Sequence, residues 1–393
     1  MVIIIMYFFY FDIPCEIFHK QRKMQRAMRT YFLETGKLAL LYGHIARAYD
    51  LFLPVRVEQK KRTVCEFGFD LPCADYQLER YGSAGATPFV FNDYRSLEPT
   101  RIFFARPAEE ICGYFHGTDN ARDAERPVAV TGIKSCDLYA MKIQDFVFLG
   151  GNEPDPFYRK RRESALLIAG DCSNFKETCF CRAFDIDPFA REGFDLNMSP
   201  VAGGYLIDVI SEKGDVVVRA VKELFSDATA DQLTARDAAR GTVIKKLDEH
   251  LAHHRIPKKE TLQEIVTAGF ASKVFTEQAL TCVECGGCVF MCDTCHCFLL
   301  ADEPEGAAAK RTRVWDGCLY KNFGRVAGGA NPLKNRYMRL RNRYIKKFDF
   351  FAEQMGIQAC CGCGRCIDVC PGKIDIRYIL RRLYDEKFPA EAV

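Results

Sequence analysis

The chain lacks the long hydrophobic runs of membrane proteins and the charge excess of nucleic-acid-binding proteins. No apolar segment reaches the roughly 18 uninterrupted residues that a spanning helix needs. It has 55 basic and 52 acidic residues, which gives a net charge of +3. With 393 residues, 48% of them hydrophobic, the composition is that of a folded protein with room for two domains. We therefore expect no membrane span and no nucleic-acid partner.

Common signatures of nucleotide-binding and nucleophilic enzymes are also missing. No GxGxxG motif follows a candidate strand, no Walker loop occurs, and no cysteine has the sequence context of a Cys–His nucleophile. The sequence therefore leaves open whether the chain is itself an enzyme.

The amino terminus is apolar over Met1–Ile13 but is not predicted to be a targeting segment. It is too short to span a bilayer, contains Asp12, and lacks both a basic leading region and a small-residue cleavage site. Two interpretations stay open: a start-site extension ahead of Met24, or a strand or partner-packing segment. We expect a cytoplasmic protein.

Cysteine is the residue present in excess. The chain has 20 cysteines, although a chain of this length does not need disulfides to fold. Cytoplasmic thiols stay reduced, so clustered cysteines there indicate metal binding or catalysis. Twelve of the 20 lie from Cys282 onward. We therefore predict an N-terminal domain over residues 1–270 and a C-terminal domain over 271–393.

The N-terminal part has the pattern of an α/β domain. Apolar residues at helical spacing over 37–49 predict a helix, and residues 221–266 are charged and helix-prone. The apolar runs Val128–Ile133 and Leu166–Gly170 predict buried strands. A β-hairpin is predicted over Tyr205–Val221, with its turn at Ser-Glu-Lys-Gly-Asp.

Two cysteine runs in the C-terminal part have the spacing C-x2-C-x2-C-x3-C. The first run comprises Cys282, Cys285, Cys288 and Cys292, and the second comprises Cys360, Cys363, Cys366 and Cys370. In two-cluster ferredoxins the fourth cysteine of such a run binds the other cluster. We therefore predict two [4Fe–4S] clusters, one on Cys282, Cys285, Cys288 and Cys370 and the other on Cys360, Cys363, Cys366 and Cys292. Structural zinc, which needs two CxxC pairs, fits two complete runs poorly.

Two residues depart from the usual ferredoxin run. Asp293 stands where a proline normally follows the fourth cysteine, and we expect this change to expose or reshape that side of a cluster. Cys361 lies beside Cys360, but only Cys360 has the correct spacing to Cys363, so we expect Cys361 to be a small buried side chain. Neither departure removes a ligand.

Four further cysteines are predicted to converge in the N-terminal domain. Cys136 follows the first predicted strand, Cys172 follows the second, and Cys179 and Cys181 come shortly afterwards. Residues that leave the carboxyl ends of neighbouring strands meet in one crevice of an open α/β sheet. Four thiols there suit a third [4Fe–4S] cluster or a zinc ion. Buried, reduced thiols that bind nothing are the remaining interpretation.

Two weaker features lie between and beside the runs. Cys295, Cys297 and Cys318, with His296, either bind another metal or pack around the first run, and packing is the interpretation that we favour. Residues 334–347 contain seven Lys or Arg in fourteen positions. This basic segment is a solvated helical face, an electrostatic offset for a nearby cluster, or a docking site for an acidic partner.

The order of these motifs resembles the family of sulfhydrogenase beta subunits and the two-cluster, ferredoxin-type subunits of anaerobic sulfite reductase. The likeness covers most of the chain from about residue 37. Besides the two cysteine runs, it is carried by Gly132–Leu138, Pro154–Arg162, Gly170–Cys172, Cys179–Cys181, Glu192–Leu196, Thr294–Phe298 and Arg313–Cys318. Lys134 and Ser135 depart from the Arg-Pro that precedes the cysteine in that family.

The resemblance implies an iron–sulfur electron-transfer subunit of an anaerobic oxidoreductase complex. Its implied partners are a flavin-containing NAD(P)H oxidoreductase subunit and a catalytic hydrogenase or reductase subunit. The alternative is a catalytic subunit that binds flavin or a sulfur substrate directly in its N-terminal domain. The sequence names neither the terminal donor nor the acceptor.

The expected fold class is α+β. An N-terminal α/β domain is followed by a ferredoxin-like domain with two [4Fe–4S] clusters. The stretch between the two runs is longer than a compact two-cluster ferredoxin requires. We therefore predict a helical insertion over about 299–358.

Overall fold

The computed structural model of the protein describes residues 28–57, 76–82, 89–114, 125–306 and 308–389. The apolar segment Met1–Ile13 lies outside these residues. The strands are β1 (Arg29–Glu34), β2 (Asp50–Arg56), β3 (Tyr76–Arg80), β4 (Ala108–Tyr114), β5 (Val128–Ile133), β6 (Leu166–Gly170), β7 (Leu196–Val201), β8 (Gly204–Val209), β9 (Phe225–Asp227), β10 (Phe298–Glu305) and β11 (Ala308–Trp315).

The helices lie mostly between β5 and β9 and in the C-terminal third. They are α1 (Leu38–Ala48), α2 (Ser135–Leu149), α3 (Pro156–Ser164), α4 (Glu212–Ala220), α5 (Ala230–His254), α6 (Lys259–Ala268), α7 (Lys273–Ala279), α8 (Gly287–Phe290), α9 (Arg336–Ile345), α10 (Phe351–Met355), α11 (Arg365–Asp368) and α12 (Ile376–Lys387). A π-helical turn, Lys346–Phe350, connects α9 to α10. Within the described ranges, no helix has both the length and the apolar character to cross a membrane.

The main sheet has the strand order β3-β2-β5-β6-β7-β8-β1-β9. Strands β2, β5, β6 and β7 are parallel to one another, and the outer pairs are antiparallel. The two predicted strands, β5 and β6, are confirmed and lie side by side at the centre. Ala129 and Ile168 face a core formed with α1, whereas Val130 and Leu167 face a core formed with α2. Burial on both faces explains why these strands are continuous apolar runs.

The β-hairpin predicted over Tyr205–Val221 is wrong in its second half. Residues 212–220 form α4, and β8 pairs with β7 and β1, which both precede it. The Ser211 hydroxyl oxygen accepts a hydrogen bond from the Gly214 backbone N–H at 3.0 Å. The polar stretch that resembled a turn is therefore the cap and first turn of a helix.

A second sheet has the order β10-β11-β4 and joins distant parts of the chain. Strands β10 and β11 form a hairpin after the first cysteine run, whereas β4 belongs to the N-terminal part. The insertion predicted to be helical over about 299–358 therefore begins as a hairpin and becomes helical only at Arg336. The buried Arg313 of β11 pairs with Glu109 of β4. Because this charged side chain faces inward, the strand has no clear alternation of apolar and polar residues.

Packing is continuous between the cysteine-rich part and the rest of the protein. One buried core combines Cys136 and Phe180 with Leu262, Leu340 and Ile379. Helix α6, which precedes the predicted boundary at 270/271, also packs against α12 beyond it. The boundary stays a prediction, and the residues on its two sides share one core.

The difference in exposure among three consecutive valines of α4 provides a test of the helix. Val217 and Val218 are 6% and 3% exposed, whereas Val216 is 55% exposed. We expect Val217→Ala and Val218→Ala each to lower the free energy of unfolding by roughly 2 kcal/mol. The matched control Val216→Ala should change it by less than about 0.5 kcal/mol. Equal losses at Val216 and Val218 with none at Val217, seen as shifts in thermal unfolding, would instead indicate a strand.

Candidate iron–sulfur sites

The first three cysteines of the first run lie beside the last cysteine of the second run. Cys282, Cys285, Cys288 and Cys370 line one cavity, together with Pro371 and Ile374. Gly286, between two of these cysteines, has a φ of +74°, and a Cβ there would lie 2.6 Å from the Tyr320 hydroxyl. Glycine is therefore required for the loop that turns the thiols toward the cavity.

The remaining cysteines of the two runs form a second set. Burial raises the pKa of Cys360 to about 12, and the thiolates of Cys366 and Cys292 add to that rise. Burial also raises the pKa of Cys366, and the Cys292 and Cys363 thiolates add to that rise. These four thiols are thus electrostatic neighbours, and Cys366 also lines the cavity of the first set. The two sets adjoin each other.

The two runs have nearly the same backbone conformation. Gly364 has a φ of +74° and a ψ of −2°, compared with +74° and −4° for Gly286. Each glycine precedes a helix of four residues, α11 or α8. The fourth cysteine follows that helix, and its N–H donates to the carbonyl three residues earlier at 3.2 Å in both runs. The shared geometry matches the repeated spacing in the sequence.

The four N-terminal cysteines lie next to the second set. Cys136 is in the first turn of α2 after β5, and Cys172 follows β6. Burial raises the pKa of Cys172 to about 12. The Lys134 ammonium opposes that rise, and the Cys179 thiolate adds to it. Burial also raises the pKa of Cys181, with Cys179 and Cys172 adding to the rise. The thiols of Cys172, Cys179 and Cys181 are therefore close together. Together with Cys136 they are called the N-terminal thiol set.

Cys136 is a neighbour both of Cys181 in its own set and of Cys363 in the second run. Burial raises its pKa, and both Cys363 and Cys181 add to the rise. The Phe180 N–H donates to the Gly362 carbonyl at 2.7 Å. A Cβ on Gly364 would lie 2.1 Å from the Thr178 carbonyl oxygen. The loop that carries Cys179 and Cys181 is therefore packed directly against the backbone of the second run.

The separation of the thiols bears on which group they can hold. Tetrahedral zinc with Zn–S bonds of about 2.3 Å brings its sulfurs to about 3.8 Å from one another. In the described part of the chain, no three thiol sulfurs all lie within 4.8 Å of one another. The cysteine sets are thus wider than a closed zinc tetrahedron. Sets of four thiols with this spread are compatible with a larger metal–sulfur group.

Part of the basic segment 334–347 faces these thiols. Arg339, Arg343 and Lys347 recur every four residues, so they share one helical face, and they are at most 5% exposed. Arg343 donates to the Cys288 carbonyl at 3.2 Å, and Lys347 donates to the Cys292 sulfur at 3.3 Å. These three cations are therefore not presented to a partner, whereas Lys334 and Arg336 of the same segment are exposed, so docking through the segment stays a prediction. The electrostatic offset is the interpretation that these contacts support.

Comparison with known proteins agrees with this geometry. Residues 281–374 match the family model of the 4Fe-4S dicluster domain. The chain is 34% identical over 287 residues to the Sulfhydrogenase 2 subunit beta of Pyrococcus furiosus, an alignment that covers 72% of this chain and 82% of that protein. This chain belongs to the sulfhydrogenase beta-subunit family. No solved structure matches it significantly.

Membership of the sulfhydrogenase beta-subunit family defines the general role of the chain. It is an iron–sulfur electron-transfer subunit of a multi-subunit oxidoreductase, and its dicluster domain holds two [4Fe–4S] clusters. The expected α+β fold class is confirmed as well.

Asp293, the departure from the ferredoxin pattern, does not open the site to solvent. Its side chain is 1% exposed, and it accepts hydrogen bonds from the Arg101 N–H at 2.8 Å and the Thr100 hydroxyl at 3.1 Å. Burial raises its pKa to about 7, and the Arg365 guanidinium opposes that rise. The expected exposure is wrong because residues 100–103 cover this side of the run.

The weaker cysteine group packs around the first run, as favoured from the sequence. A hydrogen bond from the Cys295 thiol holds the pKa of Cys292 well below its usual range. Cys297 and Cys318 are electrostatic neighbours of each other. Burial lowers the pKa of His296 to about 4, and its Nδ1 lies 3.2 Å from the Thr294 carbonyl oxygen. His296 is therefore a neutral, hydrogen-bonded side chain at pH 7.

A group of buried arginines behind the sites has no signal in the sequence. Arg365 is fully buried and donates to Asp137 at 2.6 Å, and Arg95 donates to Asp368 at 2.5 Å. Arg365 stands between two cysteines of the second run, where spacing rules concern only the cysteines. The sequence shows its position but gives no indication of its carboxylate partner, which lies 228 residues away.

The contact between Lys347 and Cys292 generates a prediction about redox potential. We expect Lys347→Met to make the potential of the nearer cluster more negative, since the extra electron loses a neighbouring positive charge. A loss on the order of 1 kcal/mol corresponds to roughly 40 mV for one electron. The control Lys346→Met removes a half-exposed cation that lies 5.2 Å from the Phe323 ring and should shift the potential less. Equal shifts in an anaerobic redox titration would contradict this role.

Proposed function

We propose that this subunit relays electrons between a flavin-containing NAD(P)H oxidoreductase subunit and a catalytic hydrogenase or reductase subunit, within a cytoplasmic, anaerobic complex. The observation that carries the proposal is the row of three adjoining cysteine sets. Cys366 connects the first set to the second, and Cys136 connects the second to the N-terminal thiol set. A row of redox centres is what a relay requires, whereas a single catalytic centre does not need one.

In this proposal the dicluster domain has crossed ligation. Cys282, Cys285, Cys288 and Cys370 hold one cluster, and Cys360, Cys363, Cys366 and Cys292 hold the other. The shared cavity of the first four supports the assignment. When bound, such clusters supply one-electron redox chemistry. The polypeptide buries the thiols and places Arg343 and Lys347 beside them.

The N-terminal thiol set is proposed to hold a third [4Fe–4S] cluster. Cys136, Cys172, Cys179 and Cys181 supply four thiols, and no three of them lie within 4.8 Å of one another, which favours a cubane over zinc. Lys134 is fully buried and donates to the Asp171 carbonyl at 3.0 Å. Its ammonium lies next to Cys172 and offsets thiolate charge at this set.

The face around the first run is the proposed contact with a partner subunit. Cys285 is exposed, and beside it Val283 and Leu280 are 65% and 73% exposed. Large apolar side chains in solvent next to a redox site suit a surface that a partner covers. This face is a candidate docking surface in addition to the exposed part of the basic segment.

The relay is tested by anaerobic purification of the native complex, with iron and flavin counted on each subunit. We expect catalytic and flavin-containing subunits to co-purify and flavin to be absent from this chain. The isolated chain should not reduce an acceptor with NADH. Flavin bound to this chain, or NADH-dependent turnover by it alone, would favour the alternative in which the N-terminal domain is itself catalytic.

Crossed ligation predicts which cysteine variants share a phenotype. Cys282→Ser and Cys370→Ser should alter the same cluster signal in electron paramagnetic resonance, and Cys292→Ser and Cys360→Ser should alter the other. The control Cys361→Ser changes a buried thiol that belongs to neither set but is hydrogen-bonded to Cys363, so both clusters should be retained and the signal of the first should be unchanged. If Cys282→Ser and Cys292→Ser altered one common signal, each run would bind its own cluster.

The third cluster is tested by Cys172→Ser in the anaerobic protein. Loss of about four irons, with both dicluster signals retained, is the expected result. Cys112→Ser, which changes a half-buried thiol of β4, is the control and should keep its full iron content. Unchanged iron together with loss of zinc would mean that the N-terminal thiol set is structural.

A further inference from the structure

A group of metal-ligating side chains outside the cysteine sets lies at the C-terminal end of α5. One ligand atom each of Glu177, His250 and His254 fall within 4.8 Å of one another. Among the described residues, no other trio of His, Cys, Asp and Glu side chains satisfies this distance. Neither the dicluster domain nor the proposed relay uses these three residues.

The helix and a loop together create this arrangement. His250 and His254 are four residues apart on α5, so they share one helical face, and their ring centroids are 4.6 Å apart. Glu177 comes from the loop between Cys172 and Cys179. Its carboxylate oxygen lies 3.2 Å from His254 Nε2, and its carbonyl oxygen lies 2.7 Å from His250 Nε2.

We propose that Glu177, His250 and His254 bind a divalent transition-metal ion such as Zn²⁺. Two imidazoles and one carboxylate are an established donor set for zinc, with the fourth position left to water. All three side chains are accessible to solvent, Glu177 being exposed and both histidines half-buried. An ion can therefore reach them without opening the core.

One cation competes with the proposed ion. Arg377 donates to the Glu177 carboxylate at 3.1 and 3.4 Å, so this carboxylate must turn away from Arg377 to bind a metal. Arg377 also donates to Asp375 at 2.7 Å, and that second carboxylate keeps the guanidinium paired. The two carboxylates outnumber the one arginine, so the local charge still favours a dication.

The bound ion would fasten the loop of the N-terminal thiol set to α5. Glu177 precedes Thr178, whose hydroxyl donates to Asp368 at 2.8 Å, and Cys179 follows directly. A metal that links Glu177 to two histidines of α5 therefore restrains the segment 172–181. Because its ligands are separate from the thiols, it can be gained or lost without change in iron content.

The test is calorimetric titration of the anaerobic, cluster-containing full chain with Zn²⁺. Wild type should bind one more zinc ion than His254→Ala, with at least about 100-fold loss of affinity at that site in the variant. Glu177→Gln should weaken the same site and provides a second variant if His254→Ala does not fold. His253→Ala is the matched control, because His253 lies on α5 beside His254 but outside the trio, and it should bind zinc as wild type does.

Two results would overturn the proposal. One is equal zinc binding by wild type, His254→Ala and Glu177→Gln, and the other is a loss in His253→Ala as large as that in His254→Ala. As a second readout, Zn²⁺ should slow hydrogen exchange over 172–181 in wild type and not in His254→Ala. Iron content should be the same in all these variants, so the outcome is independent of the proposed relay.

Discussion

Compensation of buried thiolate charge is the constraint on which the rest of this structure depends. Thiolates are the form that binds iron, and taking a charge out of water costs several kcal/mol. Burial raises the pKa of Cys288 and Cys360 accordingly. Arg343 and Lys347 oppose those shifts, and each cation makes a direct contact with a cysteine of the first run. The inward cationic face formed by α9 and the π-helical turn after it is therefore part of the sites rather than of the surface.

The same constraint determines how the two parts of the chain are joined. Arg95 and Arg101 come from the N-terminal part and donate to the Cys363 and Val289 carbonyls of the cysteine runs, whereas Arg365 comes from the second run and pairs with Asp137. Breaking one such buried pair from one side costs about 3–5 kcal/mol. The contact between the two parts is thus polar and specific, and the β4–β11 pairing adds backbone hydrogen bonds to it.

The sequence predicts best what depends on local spacing. The paired runs indicate two clusters because their cysteine spacing is a property of a few neighbouring residues, and β5 and β6 are apolar enough to be recognised alone. The prediction fails where a distant partner decides the outcome. Arg313 pairs with the distant Glu109 on the neighbouring strand, and residues 100–103 bury Asp293. The error at 212–220 has a local cause instead, because Ser211 caps a helix where the polar stretch resembled a turn.

The ligand assignments themselves remain predictions, although the structure brings their members together. Local spacing could not reveal that Cys136 lies near Cys363, because that proximity arises from packing across more than 200 residues. The basic segment shows the same limit. The sequence shows seven cations in fourteen residues. Which of them face inward depends on how the helix that carries them packs against the cysteine runs.

The contact between Gly362 and Phe180 has a consequence for the biogenesis of the protein. The Phe180 N–H donates to the Gly362 carbonyl at 2.7 Å, so the second run lacks this partner until the loop around Phe180 packs against it. Insertion of iron and sulfide at the carboxyl end thus depends on a loop that is synthesised far earlier. Maturation is expected to follow completion of the whole chain, and a separately produced C-terminal fragment would lack one wall of its own metal site.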